Sequence, residues 1–388
     1  MKSRVKLIGI IALVAVMAFA LVFTTCSDDS GDDDDNSNNN DNGNNNGGTA
    51  TVYVMGGYWD SNGNETVCYW KDGTITNLSL PPGTRNAVEA TTGIAIQGNN
   101  VYVSGGYINS NGYRTACYWV NGTRTDLSVP DEIKDFFDTT ETTGIAVQGN
   151  NVYVSGLIDD GLPCYWVNGT CYWANETETG PYLSLPDRFE YAEATGIAIQ
   201  GNNVYVSGYY VDSNGNETGC YWKDRTRTDL SVPPGYHGSA IGGIAVQGNN
   251  VYLYGVYWDF NYNNRIFCYW VNGTRTDLSG NSGEVCDIAV QGNNVYLSGV
   301  YWDGYDVKAC YWINGTRTDL SKPSNTQLFE LDIKIAVYDG KVYVNGAYCD
   351  SNDQNIIPCY WVDGIRTDLP VPAGAIGAAT TGIAVVAQ

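Results

Sequence analysis

Histidine is almost missing from this chain: His237 is the only one in 388 residues. A lone imidazole with no Ser or Cys nucleophile motif beside it supports no catalytic triad. No cysteine has a His or second Cys at metal-ligand spacing, so neither a metal nor a cofactor is expected. Basic residues are scarce as well. Twenty Lys and Arg stand against 42 Asp and Glu, a formal net charge of −22, and no basic stripe interrupts the acidic surface. Such a surface repels phosphate backbones, so nucleic acid is not an expected partner.

What the chain has in abundance is one segment, copied. Residues 93–129 read "GIAIQGNNVYVSGGYINSNGYRTACYWVNGTRTDLSV". Its first isoleucine recurs as Ile94, Ile145, Ile197, Ile244, Ile288, Ile335 and Ile383, at steps of 51, 52, 47, 44, 47 and 48 residues. Its tryptophan recurs as Trp70, Trp119, Trp166, Trp222, Trp270, Trp312 and Trp361. A fixed period of this length marks a repeat architecture. Inside a unit the apolar period is two, not 3.6. Runs such as "GIAIQ", "VYVSG", "ACYWV" and "TRTDLS" are rich in residues that pack on a pleated surface, and they predict four antiparallel strands, a to d. Gly98-Asn99-Asn100 and Asn121-Gly122 supply the positive-φ residues that tight hairpins need.

Strands b and c are apolar on both faces, so sheets must stack on either side. The predicted fold of residues 49–388 is all-β, a seven-bladed propeller of four-stranded blades. The chain enters the repeats on a strand b, Val52-Tyr53-Val54, and ends on a strand a, Gly382-Ile383-Ala384-Val385. The last strand is therefore expected to complete the first blade. Matched halves of this kind serve a ring, whereas an open solenoid wants polar caps.

The start of the chain is a targeting segment. Lys2, Arg4 and Lys6 precede an uncharged apolar run, Leu7 to Phe23, and then Thr24-Thr25-Cys26. This order reads as an export signal over residues 1–26. The Cys directly after the apolar run resembles a bacterial lipoprotein signal, which implies acylation of Cys26; an uncleaved anchor helix is the alternative. Either places the remainder outside the inner membrane. Residues 27–48 are only Asp, Asn, Ser and Gly. With nothing apolar to bury they are expected to form a disordered tether. Setting aside the tether's seven Asp and the three basic residues of the start leaves about −18 on the repeats, 35 acidic residues against 17 basic.

Eleven cysteines in an exported chain suggest disulfides, but Cys68, Cys117, Cys164, Cys220, Cys268, Cys310 and Cys359 hold one and the same strand c position. Stacked sheets lie roughly 10 Å apart, beyond the roughly 7 Å that a bridge spans between Cα atoms. These seven are expected to be buried thiols. Cys349 and Cys359 are a candidate pair across one hairpin, and Cys171 and Cys286 have no evident partner.

The a–b and c–d links are short and nearly constant, and both fall at one end of each blade. The b–c links and d–a crossovers vary, and function on rigid scaffolds concentrates in variable loops. At that long-loop end, strand b closes on Tyr, a variable residue, then Asp or Asn: Tyr58-Trp59-Asp60, Tyr257-Trp258-Asp259 and Tyr301-Trp302-Asp303 among others. The Asp residues are expected to open turns. Tyr58, Trp59, Tyr257, Trp258, Tyr301 and Trp302 are the candidate binding residues, because aromatics give large contact area at low entropic cost. The crossover carrying Asp131, Glu132, Asp135, Asp138 and Glu141 is a second candidate. "DSNGNET" at Asp60 and Asp212 has its Gly misplaced for a calcium loop. An insertion from Cys171 through Pro181 is read as a duplicated strand c.

The "VYVSGGY" segments, with Gly105-Gly106 and Gly56-Gly57 after an apolar strand, resemble kelch-type repeats. The "CYWVNG" segments are similar to those of bacterial lipoproteins built on "YWxNG" repeats. Both resemblances imply a propeller and no activity. The reading is a monomeric, membrane-tethered protein of the bacterial cell envelope, at the outer membrane or cell surface. It binds a protein or glycan through the long-loop end and catalyses nothing. The alternatives are a propeller-type polysaccharide lyase or glycosidase using loop carboxylates, or a structural envelope protein.

Overall fold

The structure is a computed structural model. It describes residues 50–388 apart from 85–90, 130, 132, 135–138, 160, 174–182, 187–188, 262–263, 279–282, 305, 330–332 and 350–355. The expected signal segment, Cys26 and the tether lie outside the described residues. So do Glu132, Asp135 and Asp138 of the crossover, and most of the insertion after Trp173.

Every described element is a strand. Five separate sheets have four antiparallel strands each and begin at Thr91, Thr140, Phe189, Gly238 and Gly283. They correspond to the second to sixth sequence repeats, called units 2 to 6. A sixth sheet holds nine strands. In it Ala50–Asp60 pairs on one side with Glu65–Lys71 and on the other with the C-terminal strand Ala375–Ala387. Val54 faces Ile383 across that second ladder, so the chain's last strand does supply strand a of unit 1. The same sheet contains unit 7, Ile335–Tyr338 to Ile365–Asp368, which meets unit 1 by one parallel bridge, Ile356 to Gly377.

The a strands pack in sequence: Thr91–Gln97 on Thr140–Gln148, then Phe189–Gln200, Gly238–Gln247, Gly283–Gln291, Ile335–Tyr338, Ala375–Ala387, and back to Thr91–Gln97. Sheets stacked face to face around a closed cycle of inner strands make a propeller. The fold is an all-β propeller of four-stranded antiparallel blades.

Local chemistry explains each corner. In the c–d turn of unit 2, Asn121 (φ 50°) and Gly122 (φ 84°) both sit in the left-handed region a two-residue hairpin requires. The Asn121 Oδ1 also accepts the Val101 amide at 2.9 Å, which fixes the start of strand b. The same bond is made by Asp72, Asn168, Asp224, Asn272, Asn314 and Asp363. The repeated "NG" thus does two jobs, turning the chain and holding strand b.

The repeated tryptophan is the wedge between units. Trp119 is fully buried, and its Nε1 donates to the Ser79 carbonyl of the preceding unit at 2.7 Å. Trp70, Trp166, Trp222 and Trp361 donate likewise to Pro370, Ser128, Ser184 and Ser321. All seven strand c cysteines have no exposed surface.

Strand a carries a β-bulge at Thr92, Thr143, Thr195, Gly242, Cys286 and Thr381. The extra residue bends the strand and re-aims its neighbours. It brings the carbonyls of Glu141, Glu193, Ala240, Glu284 and Ala379 against strand b. A Cβ at the facing Gly156, Gly208, Gly255, Gly299 or Gly56 would lie 1.9–2.1 Å from that oxygen. The glycine after "VYVS" is there because nothing larger fits under the bulge.

Candidate functional site

At the long-loop end, most of the expected Asp and Asn residues are engaged in their own turns. Asp60 Oδ1 accepts the amides of Asn62 (2.8 Å) and Asn64 (2.9 Å), and Asp212 does the same for Asn214 and Asn216. Both "DSNGNET" segments are therefore closed turns. Asp303 instead takes the Lys308 ammonium at 2.6 Å. Among the described residues no group of three His, Cys, Asp or Glu could hold a metal ion.

The aromatic candidates separate. Tyr257 and Tyr301 are buried, and their hydroxyls donate to Asp277 (3.0 Å) and Asp319 (2.7 Å) at the ends of their own strands d. Tyr107, Tyr210 and Tyr348 make the equivalent bond to Asp126, Asp229 and Asp368. An arginine two residues before each Asp pairs with it and lies over the Tyr ring, as Arg275 does 4.5 Å from the Tyr257 centroid. The Tyr is a lock that ties strand b to the outer strand. Burial, with Asp126 beside it, pushes the Tyr107 phenol up to about 12, so it stays a proton donor.

Trp258 is buried too, at 5% exposure, against the expectation of a free binding ring. Its indole lies over Gly238 of the neighbouring strand, where a Cβ would come within 2.7 Å. Trp59 and Tyr58 are half-buried, with Tyr58 Oη accepting from Asn77 at 3.1 Å. Only Trp302 of the six is exposed, at 39%. These residues belong to units 1, 5 and 6, and the fold does not gather them into one site. The insertion begins as strand d of unit 3, Thr170–Trp173, and not as a second strand c.

A different constellation does converge. The strand Phe189–Gln200 runs beyond its bulge toward the long-loop end and alternates there. Ala192 and Ala194 are fully buried on one side, and Tyr191 and Glu193 fall on the other. Tyr209 stands opposite Glu193, with Gly219 beyond it, and Gly219 faces Ser239 and Ile241 of unit 5. Glu193 Oε2 accepts the Tyr209 hydroxyl at 2.6 Å and the Tyr191 hydroxyl at 3.0 Å.

Enclosure by protein raises the Glu193 carboxyl above the usual range, the two phenols opposing and Glu141 adding to the effect. Glu217, at the start of strand c, is pushed up to about 7, by burial first and by Glu193 second, with Arg265 acting the other way. Glu141 is ion-paired with Arg114. Glu193 and Glu217 nonetheless keep accessible surface, being half-buried. Two carboxyls raised above their ordinary range, two phenols and two flanking guanidiniums form a half-buried cluster that both donates and accepts hydrogen bonds. Clustered acids with raised pKa values are a mark of functional sites.

The sequence reading missed Glu193, Glu217, Tyr191 and Tyr209. Position in the repeat could not single out Glu193, since Glu141 and Glu284 hold the same place two residues before the bulge in units 3 and 6, where units 1 and 5 have Ala379 and Ala240.

No protein-family model matches the chain, and no curated protein matches its sequence. Solved structures do resemble it, at a distance. The β-propeller domain of the Trilobed protease from Pyrococcus furiosus is 13% identical, with a TM-score of 0.47 over 83% of this chain and 94% of that one. AofleA from Arthrobotrys oligospora is 10% identical (TM-score 0.43; 78% and 90% covered). The fucose-specific lectin from Aleuria aurantia is 13% identical (TM-score 0.40; 74% and 98% covered). At this distance none of them is an argument for what this chain binds.

Proposed function

We propose that this chain is a seven-bladed propeller, lipid-anchored through Cys26 at the bacterial cell envelope, that binds a polyhydroxylated ligand, a glycan, at its long-loop end. The count of seven follows if the nine-stranded sheet is read as two blades that touch by a single bridge. Seven tryptophans and a seven-membered cycle of inner strands support that reading. The anchor rests on the order basic start, apolar run, Cys26 and an acidic tether.

The observation that carries the binding site is Glu193, braced by Tyr191 and Tyr209 beside Glu217, both carboxyls half-buried with solvent access. Sugars present vicinal hydroxyls that both donate and accept, and a carboxyl flanked by phenols answers both. A second reading is hydrolysis, since a carboxyl with a pKa near 7 next to another is the raw material of a glycosidase acid.

The test is a glycan screen with the whole protein, with product release followed in the same wells. Glu193→Gln and Tyr209→Phe are expected to lower affinity at least tenfold without product in any variant. Product formed by the wild type and lost in Glu217→Gln would establish hydrolysis instead. Undiminished binding by both variants would move the site elsewhere, with Trp302 next in line. Cys26→Ser is expected to release the protein from membranes; retention would favour an anchor helix.

A further inference from the structure

Unit 3 lacks the lock used elsewhere. In units 2, 4, 5, 6 and 7 the outer strand presents Arg and Asp on the face that carries the strand c Cys and Trp. Trp119 lies opposite Arg124 and Cys117 opposite Asp126. In unit 3 the same two places hold Cys171 and Trp173, so that Trp166 faces Cys171 and Cys164 faces Trp173. Cys164 and Cys171 are thus diagonal neighbours on adjacent strands, on one face of one sheet. Both belong to the apolar cluster packed against unit 2, Cys164 with no exposed surface and Cys171 at 9%. Both are free thiols, and burial, with Cys171 beside it, pushes the Cys164 thiol up. Position and chemistry coincide: the residue that replaces the arginine of the lock is the one residue type able to bond covalently to the strand c cysteine.

We propose that Cys164 and Cys171 are a disulfide-forming pair that fastens the outer strand of unit 3 where units 2, 4, 5, 6 and 7 use an ion pair. Two thiols lose two protons and two electrons to form the S–S bond. The electrons go to a disulfide oxidant, such as oxidised glutathione, which is reduced to two thiols. Diagonal partners in an antiparallel pair sit about 7–8 Å apart at Cα, and a disulfide wants less than about 7 Å. The outer strand must therefore close by roughly 1 Å, which an edge strand can do and an inner strand cannot. A bridge made under that strain is easily reduced. Burial disfavours the Cys164 thiolate, so closure occurs during folding or while the edge strand is open, and it is slow in the folded thiol form. The other candidate, Cys349 with Cys359, fails on geometry. Cys359 pairs with Gly346, three residues from Cys349, so the two cysteines point to opposite faces of the sheet.

The whole chain is refolded in a mixture of oxidised and reduced glutathione, trapped with iodoacetamide and cut with chymotrypsin, which cleaves after Tyr165 and Trp166 and separates the two cysteines. A linked pair of peptides containing Cys164 and Cys171 is expected in most of the folded protein. It should be lost in Cys171→Ser and reversed by a short exposure to dithiothreitol under native conditions. Folded wild-type protein in which both peptides are alkylated overturns the proposal, and so does a bridge from Cys164 to any other cysteine. The wild-type map decides this alone, whether or not Cys171→Ser folds.

Discussion

Replacing Glu217 by Gln should make the protein more stable at neutral pH, by an amount the structure fixes. The folded carboxyl titrates near 7, while a solvated glutamate titrates at 4.5. Below pH 4.5 both states hold the proton and the residue contributes nothing to the pH dependence. As pH rises through that value the unfolded chain releases its proton while the folded one keeps it, so unfolding gains ground until pH 7. One pKa unit is worth about 1.4 kcal/mol, which makes the full penalty roughly 3 kcal/mol above pH 7. Gln keeps the volume and carries no charge, so it escapes that penalty.

The measurement is urea unfolding of wild type and Glu217→Gln at half-unit steps from pH 4.5 to 8. The difference in unfolding free energy should start near zero and grow in favour of the variant to about 3 kcal/mol, with most of the change between pH 5 and 7. Groups remote from Glu217 are common to both proteins and drop out of the difference, whereas Glu193, its charged neighbour, contributes through their mutual repulsion. A difference that stays flat across this range would refute the assignment of a neutral, enclosed Glu217. A difference of opposite sign would mean that Arg265 outweighs burial.

Gly208→Ala should cost at least about 3 kcal/mol, seen as a drop in unfolding midpoint, because its Cβ would lie 1.9 Å from the Glu193 carbonyl. Gly215→Ala is the control for loss of a positive-φ glycine in open space, and should cost about 1 kcal/mol. Deleting residues 382–388 removes the ladder from Met55–Gly382 to Ala50–Ala387 and uncovers Val52 and Val54; melting should become broad, with more than about 5 kcal/mol lost. Trp119→Ala should cost about 3–5 kcal/mol, and Trp119→Phe less, the remainder reporting the indole bond to Ser79.

The parts of the fold that were legible in the sequence are those the repeat states seven times. "NG" between strands c and d could be read as a positive-φ turn because only such residues fit there, and the turn residues of all seven units make the amide bond to strand b. The repeated Cys and Trp could be read as buried because their neighbours on both faces are apolar. The bulge in strand a could not be read. It is a property of pairing, and its only trace in sequence is a glycine on another strand, which looks like any turn glycine.

The site was hidden for a related reason. Periodicity speaks of what the units share, whereas a site in a ring of near-copies is made by departures from it. Trp258 and Trp302 occupy the same place in their repeats, yet one is buried and the other exposed. Trp258 pairs with Gly238 at the end of the first strand of unit 5, where the missing Cβ leaves room for the indole. Glu193 shares its place in the repeat with Glu141 and Glu284, and what sets it apart is Tyr209, directly opposite in register, together with Tyr191. Tyr191 and Glu141 come from the same end of neighbouring strands a. Each of these residues alone is an ordinary surface or core residue. Their meeting is fixed by which unit follows which around the ring, so the candidate site lies where units 3 to 5 depart from the shared pattern.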